Sequence, residues 1–151
     1  MIIQDIALFK GVDSKVSDEI ASISSEESYA RETILFQKGE NAGNLYILKE
    51  GKVDLVIKDG GSIVYILTEP GEVFGWSSMV ESGEYSATAV SVTDLKVWRI
   101  EREKLEKIFS LHPKDGLIIF KRLAGIISKR LAYAYKELLS VGMQETTPEY
   151  G

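Results

Sequence analysis

The order of apolar and polar positions divides the chain into a helical start, a long β region and a helical end. Near the N-terminus Val16, Ile20 and Ile23 recur at helical spacing. Asp13 suits an N-cap, and Asp18 with Glu19 suits the positive end of a helix dipole, so a short amphipathic helix is predicted over about 13–24. From Ala30 the pattern turns to short β-type runs bounded by turn chemistry: RETILFQ before KGENAGN, LYILK before EG, KVDLVIK before DGG, and SIVYILT before EPGE. Val53, Leu55 and Ile57 alternate with Lys52, Asp54 and Lys58, as a strand with one buried face requires. Two further runs, YSATAVSV and LKVWRI, flank the Thr93-Asp94 turn. The predicted class is mainly β with flanking helices: an antiparallel β-roll or jelly roll. Between the two groups of strands, GEVFGWSSMVESGEY reads as a loop opening into one helical turn at Trp76–Val80, and this interruption of the sheet marks a candidate site.

After Ile100 the helical period returns. EREKLEKIFSL predicts a short helix ended by His112-Pro113, followed by a long one from Pro113 to about Val141, with Pro at its first position and Gly142 just past its end. At 1.5 Å per residue the long helix spans roughly 43 Å, more than a domain of this size can cover. Its apolar residues Leu117, Phe120, Ala124, Ile127, Leu131, Ala134, Leu138 and Val141 are spaced 3, 4, 3, 4, 3, 4, 3, a heptad seam. A second stripe, Ile119, Leu123 and Ile126, lies beside it in the first half only, so that half can cover the β region while the seam meets another helix. A homodimer through this helix is expected, Ala124 and Ala134 allowing close approach; the other reading packs the seam on the roll. The basic residues Lys121, Arg122, Lys129, Arg130 and Lys136 are read as the solvated flank of the seam.

Composition narrows the chemistry. A chain of 151 residues that is 44% hydrophobic suits one domain with a sizeable core. With no Cys and one His, the sequence excludes iron–sulfur clusters, cysteine zinc sites, disulfides and thiol catalysis, and any metal site would need carboxylates. His112, before a Pro at a helix start, reads as a structural junction. No nucleophile elbow, P-loop or paired-acid motif is present, so the expectation is a protein that is not an enzyme and holds no metal. No apolar run approaches the roughly 20 residues of a membrane helix, and the start lacks signal-peptide features; a cytoplasmic protein without membrane contact is expected. The net charge is −5, but residues 1–112 hold 12 basic and 19 acidic residues while 113–141 hold 6 and 2. The span Asp59–Asp94 contains six acids and neither Lys nor Arg.

The order of elements resembles the cyclic nucleotide-binding domain of catabolite-activator-type regulators and of cyclic-nucleotide-dependent kinases and channels. The residues that carry the resemblance, over about 1–140, are Leu8-Phe9-Lys10-Gly11-Val12, Gly39, Leu45-Tyr46-Ile47-Leu48 with Gly51-Lys52-Val53, Pro70-Gly71-Glu72-Val73-Phe74-Gly75, and His112-Pro113. The resemblance implies a β-roll over 1–112 whose phosphate-binding cassette holds a cyclic nucleotide, a lid and dimerisation helix over 113–141, and a flexible tail over 142–151. That tail is too short for a DNA-reading domain, so no direct DNA binding is expected.

The cassette keeps the family's shape and not its chemistry. The matching stretch runs Phe74, Gly75, Trp76, Ser77, Ser78, Met79, Val80 and continues through Tyr85, Ser86, Ala87, Thr88 and Ala89. By the resemblance, Trp76 stands where the family places the Glu that accepts the ribose hydroxyl, and Tyr85 where it places the Arg that neutralises the cyclic phosphate. A buried phosphodiester needs a cation or several directed donors. Ser77, Ser78, Ser86, Thr88 and backbone N–H groups offer donors, and Arg31, Lys121 or Arg122 could reach in from outside the span. Two aromatic faces among acidic residues suit a neutral, aromatic or cationic small molecule. Alternatively the two rings fill the vacated pocket as core and nothing binds. The expected function is a non-enzymatic regulatory ligand-binding module. A cyclic AMP sensor working through other contacts, or the effector domain of a transcription regulator lacking its helix-turn-helix, are the alternatives.

Overall fold

The computed structural model describes residues 2–142; the tail beyond lies outside the described residues. Two 3-10 turns, Ile3–Asp5 and Ala7–Phe9, bury Ile3, Leu8 and Phe9 and lead into helix α1, Ser14–Ile23. Asp13 caps α1, its carboxylate accepting from the Lys15 N–H at 2.9 Å, and Val16 and Ile20 face the core as their spacing predicts. Eight strands follow: β1 (Ser24–Tyr29), β2 (Ile34–Phe36), β3 (Asn44–Glu50), β4 (Val53–Lys58), β5 (Ser62–Leu67), β6 (Val73–Phe74), β7 (Thr88–Ser91) and β8 (Leu95–Glu101). They pair antiparallel in two four-stranded sheets, β1-β8-β3-β6 and β2-β7-β4-β5. Helices α2 (Arg102–Leu111) and α3 (Pro113–Gly142) close the fold.

Two strands escape the sequence pattern. β1 is Ser-Ser-Glu-Glu-Ser-Tyr, with no apolar alternation, yet it pairs with β8 along its whole length. Its Glu27 receives the Arg99 Nε–H at 2.6 Å and the Tyr29 hydroxyl. Burial pushes the Glu27 carboxyl up, but the hydrogen bonds from Tyr29 and Arg99 and the Arg99 charge outweigh it and leave the group below its ordinary value. β6 is only two residues long and is read from its pairing with Tyr46 and Ile47 of β3.

The interior divides at the first sheet. Inside the roll, Leu48, Val53, Leu67, Phe74, Ala89, Leu95 and Val97 form one apolar cluster. On the other face of β3 and β8, Ile47, Trp98 and Ile100 meet the N-terminal turns, α1, α2 and the first half of α3. The stripe Ile119, Leu123 and Ile126 belongs to this second cluster, with Ile119 and Leu123 buried. Gly116 lets α3 pass Phe109, whose Cβ and first ring carbon an added Cβ would meet at 3.0 and 3.2 Å. Arg122 donates to the Leu8 and Lys10 carbonyls, and His112 Nε2 lies 3.4 Å from the Glu19 carboxylate, so both tie the helices to the N-terminal segment. From Leu131 to Val141 every residue of α3 is exposed.

Candidate functional site

The cassette begins where β6 ends. Gly75 adopts φ 73°, and an added Cβ would lie 3.1 Å from the Asn44 carbonyl oxygen and 3.2 Å from the Tyr46 ring, so the position needs glycine both for conformation and for space. A 3-10 turn, Trp76–Met79, follows and buries Ser77 and Ser78. The Ser78 hydroxyl donates back to the Gly75 carbonyl at 2.8 Å. The chain then crosses to the β2–β3 connection: Ala42 N–H donates to the Gly83 carbonyl at 2.6 Å, Tyr85 N–H to Glu40 at 3.0 Å, and Gly39 N–H to Tyr85 at 2.8 Å.

Those backbone bonds turn the Tyr85 ring into the roll. It is 5% exposed and stacks on Phe36 with centroids 3.8 Å apart and planes at 15°. Its hydroxyl donates to the Asn44 carbonyl at 2.9 Å and accepts from the Asn44 N–H at 3.2 Å. Behind it, Tyr46 and Phe74 stack at 5.2 Å. Burial, first of all, pushes the Tyr85 phenol above its ordinary value. The residue at the position the resemblance gives to a phosphate-binding Arg is thus part of an aromatic layer at the floor of the site.

Trp76 meets a cation, and it comes from the helix. The Arg130 guanidinium of α3 lies 4.3 Å from the Trp76 ring centroid and 5.3 Å from that of Tyr65, and it donates to the Val73 carbonyl. Tyr65 in turn makes an edge contact with Tyr133 at 5.4 Å. Desolvation by burial pulls the Arg130 pKa below its ordinary value. Its Nη1 is buried without a hydrogen-bond partner. Among the described residues no carboxylate lies within ion-pairing distance of Arg130; the recorded ion pairs are all elsewhere.

This corrects the reading of Arg130 as a solvated flank of the seam. The stripe Ile119, Leu123, Ile126 continues with the same alternating spacing through Arg130, Tyr133 and Glu137, so the helix face that covers the core in its first half overhangs the cassette in its second. Of the cations expected to reach in, Arg122 is held by the N-terminal segment and Arg31 is exposed beside Glu32.

Between the cassette and α3 lies a cavity of about 610 Å3. Gly75, Trp76, Ser77, Tyr85, Ser86 and Ala87 line it on one side, Leu55, Ile57, Ile63, Val64 and Tyr65 on another, and Arg130, Tyr133, Ala134, Glu137, Leu138 and Val141 from the helix. Phe74, Ser78 and Thr88 stand behind this lining; Thr88 accepts from the Lys38 N–H at 3.0 Å. Of the seam residues, Leu117, Phe120, Leu131 and Leu138 are exposed large apolar side chains, whereas Ile127 packs on the core. Among the described residues no group of three or more His, Asp or Glu side chains is placed to hold a metal, and no helix is long and apolar enough to cross a membrane.

The site is thus a glycine-entered cassette set into a β-roll and roofed by a long C-terminal helix, with a largely apolar cavity between them. The family model of the cyclic nucleotide-binding domain matches residues 26–112, and the chain belongs to that family. It is 26% identical over 126 residues to a cAMP-dependent protein kinase regulatory subunit of Candida albicans, covering 83% of this chain and 24% of that one. It is 29% identical to the cyclic AMP receptor protein of Thermus thermophilus, over 91% of this chain and 63% of the relative. The crystal structure of the Thermus thermophilus catabolite activator protein superposes with a TM-score of 0.72 at 30% identity, over 89% of this chain and 62% of that one. A cyclic nucleotide-binding domain from Methylobacillus flagellatus shares the fold at a TM-score of 0.78 and 21% identity, over 99% of this chain and 83% of that one. The chain therefore spans less than two thirds of the curated relatives named here.

Proposed function

We propose that the chain is a non-enzymatic regulatory module that binds a small molecule between the cassette and α3 and pairs with a second copy through the exposed side of that helix. The cavity roofed by Arg130, Tyr133 and Leu138 is the observation that carries this reading: 610 Å3 falls in the range of small-molecule sites. Tyr85 and Trp76 argue against the family's usual way of holding a cyclic phosphate, since one ring is built into the core and the other is covered by Arg130.

The dimer reading rests on the apolar side chains exposed along α3. Leu131 and Leu138 are 49% and 64% exposed, apolar side chains that a second helix would cover. Size-exclusion chromatography with light scattering of the wild type should give twice the chain mass, and Leu131→Glu should give monomers. A dimer that survives the substitution puts the contact elsewhere. Thermal denaturation tests the cassette reading: cyclic AMP at micromolar concentration should leave the midpoint unchanged, because stabilisation follows ligand concentration over Kd. A rise of several degrees would restore a cyclic AMP sensor as the better reading.

A further inference from the structure

We infer that the ligand of the cassette cavity is an apolar molecule with a single anionic head, and that Arg130 is the residue that receives that head. This rests on the ligand-binding reading above and names the class of molecule it takes.

Arg130 carries a charge that the fold leaves unbalanced. A guanidinium carries five N–H donors and a permanent charge. Arg130 uses one nitrogen on the Val73 carbonyl, lies over Trp76 and Tyr65, leaves Nη1 buried without a partner, and has no ion-paired carboxylate among the described residues. A desolvated cation with unfilled donors is costly unless an anion joins it. The acids around it form no ion pair with it. Glu72 and Asp5 line a hollow beside Arg130, and the Glu72 charge acts on the guanidinium from beyond ion-pairing distance while its Oε2 accepts from the Thr68 and Glu69 N–H groups at 3.0 and 2.9 Å; Glu137 stands two turns further along α3.

The rest of the lining sets the body of the ligand. Leu55, Ile57, Ile63 and Val64 offer apolar surface, the buried Tyr85 closes the floor, and the Trp76 ring is already covered by Arg130. That removes the cationic ligand that the acidic span of the sequence suggested: its aromatic face is taken and its nearest charge would be a guanidinium. Ser62, Ser77, Ser86, Tyr65 and Tyr133 add hydroxyls to the lining, and of these Tyr65 lies against Arg130. A guanidinium fork binds carboxylate and phosphate alike, so the shared chemistry is a compact oxyanion on an apolar frame.

Isothermal titration of the full chain with three matched probes tests this: 2-naphthoate, 2-naphthalenemethanol and 2-naphthylmethylamine, with cyclic AMP as a fourth. 2-Naphthoate should bind most tightly, at one per chain. Arg130→Gln should weaken it about tenfold or more, while leaving the weaker binding of the alcohol unchanged. Circular dichroism of the variant establishes that it folds; if it does not, Arg130→Lys, which keeps the charge and loses the fork, should fall between the two. Alcohol and acid binding equally, or acid binding insensitive to Arg130, overturns the anionic head and leaves the cavity reading standing. Cyclic AMP binding more tightly than 2-naphthoate overturns the apolar frame. No heat with any of the four probes overturns this inference, and the cavity reading with it.

Discussion

Tyr85→Phe isolates the step on which the reading of the cassette depends, namely whether this aromatic is core or an open ligand platform. The substitution keeps the ring, its stack on Phe36 at 3.8 Å and the packing volume, and removes only the hydroxyl. That oxygen makes two bonds to one residue, donating to the Asn44 carbonyl at 2.9 Å and accepting from the Asn44 N–H at 3.2 Å, at a site where the side chain is 5% exposed. Leaving buried partners unsatisfied costs about 1–3 kcal/mol. With roughly 2–4 °C of midpoint per kcal/mol for a chain of this size, a cost near 2 kcal/mol lowers the melting temperature by about 4–8 °C. Thermal denaturation followed by circular dichroism reads this directly, with Tyr135→Phe as control because Tyr135 is 57% exposed. A Tyr85→Phe midpoint within about 1 °C of wild type, matching the control, would mean that the hydroxyl is bonded to water and that the ring faces an open pocket.

Gly75→Ala should lower the urea midpoint by the equivalent of about 1–2 kcal/mol for the left-handed conformation alone, and by more for the crowding against Asn44 and Tyr46; an unchanged midpoint would show that the cassette backbone relaxes freely. Burial raises three phenols above the ordinary value, Tyr29 to about 12 and Tyr46 and Tyr85 in the same direction. A pKa raised in the folded state adds stability below the unfolded value of about 10 that is lost as pH climbs through the folded values. Unfolding midpoints should therefore fall above about pH 10, and phenolate absorbance should show these three ionising late or with unfolding; early ionisation of all phenols in a still-folded protein would contradict their burial.

Elements with a regular local period were legible in the sequence. α1 with its Asp13 cap, strands β3, β4, β5 and β8, and the Pro113 start of α3 all follow from apolar spacing and turn chemistry. β1 was not, because a strand that pairs through its backbone needs no apolar alternation, and its partner for Glu27 is Arg99, 72 residues away. The site divides in the same way. Gly75 and the short turn after it are local backbone signals, and they stood out. Tyr85 as core and Arg130 as the cation of the cassette depend on neighbours brought together by the fold: Phe36 and Asn44 for one, Trp76 and Val73 for the other. A cation continuing an apolar stripe reads as the end of that stripe until the surface opposite turns out to be a cavity with ring faces.

The two faces of α3 explain how one helix can serve both halves of the proposed function. At about 100° per residue, Ile119, Leu123, Ile126, Arg130, Tyr133 and Glu137 point within a narrow sector towards the roll and the cavity. Leu117 and Leu131 point roughly a third of a turn or more away, and both are exposed. Ala134 and Leu138 lie between the two directions and line the cavity, and Val141 returns to the inward sector. The second half of the helix has no buried residue, so its hold on the roll rests on the Arg130 contacts with Val73, Trp76 and Tyr65 and on the edge contact of Tyr133 with Tyr65. A segment held by so few contacts sits at the low end of the stability range within a fold. An anion joining Arg130 acts on one of those contacts, and because a helix moves as a body, a change in its seat on the cassette carries Leu131 and Leu138 with it. Linkage then runs both ways: whatever a ligand does to pairing through the seam, pairing does by the same factor to the ligand.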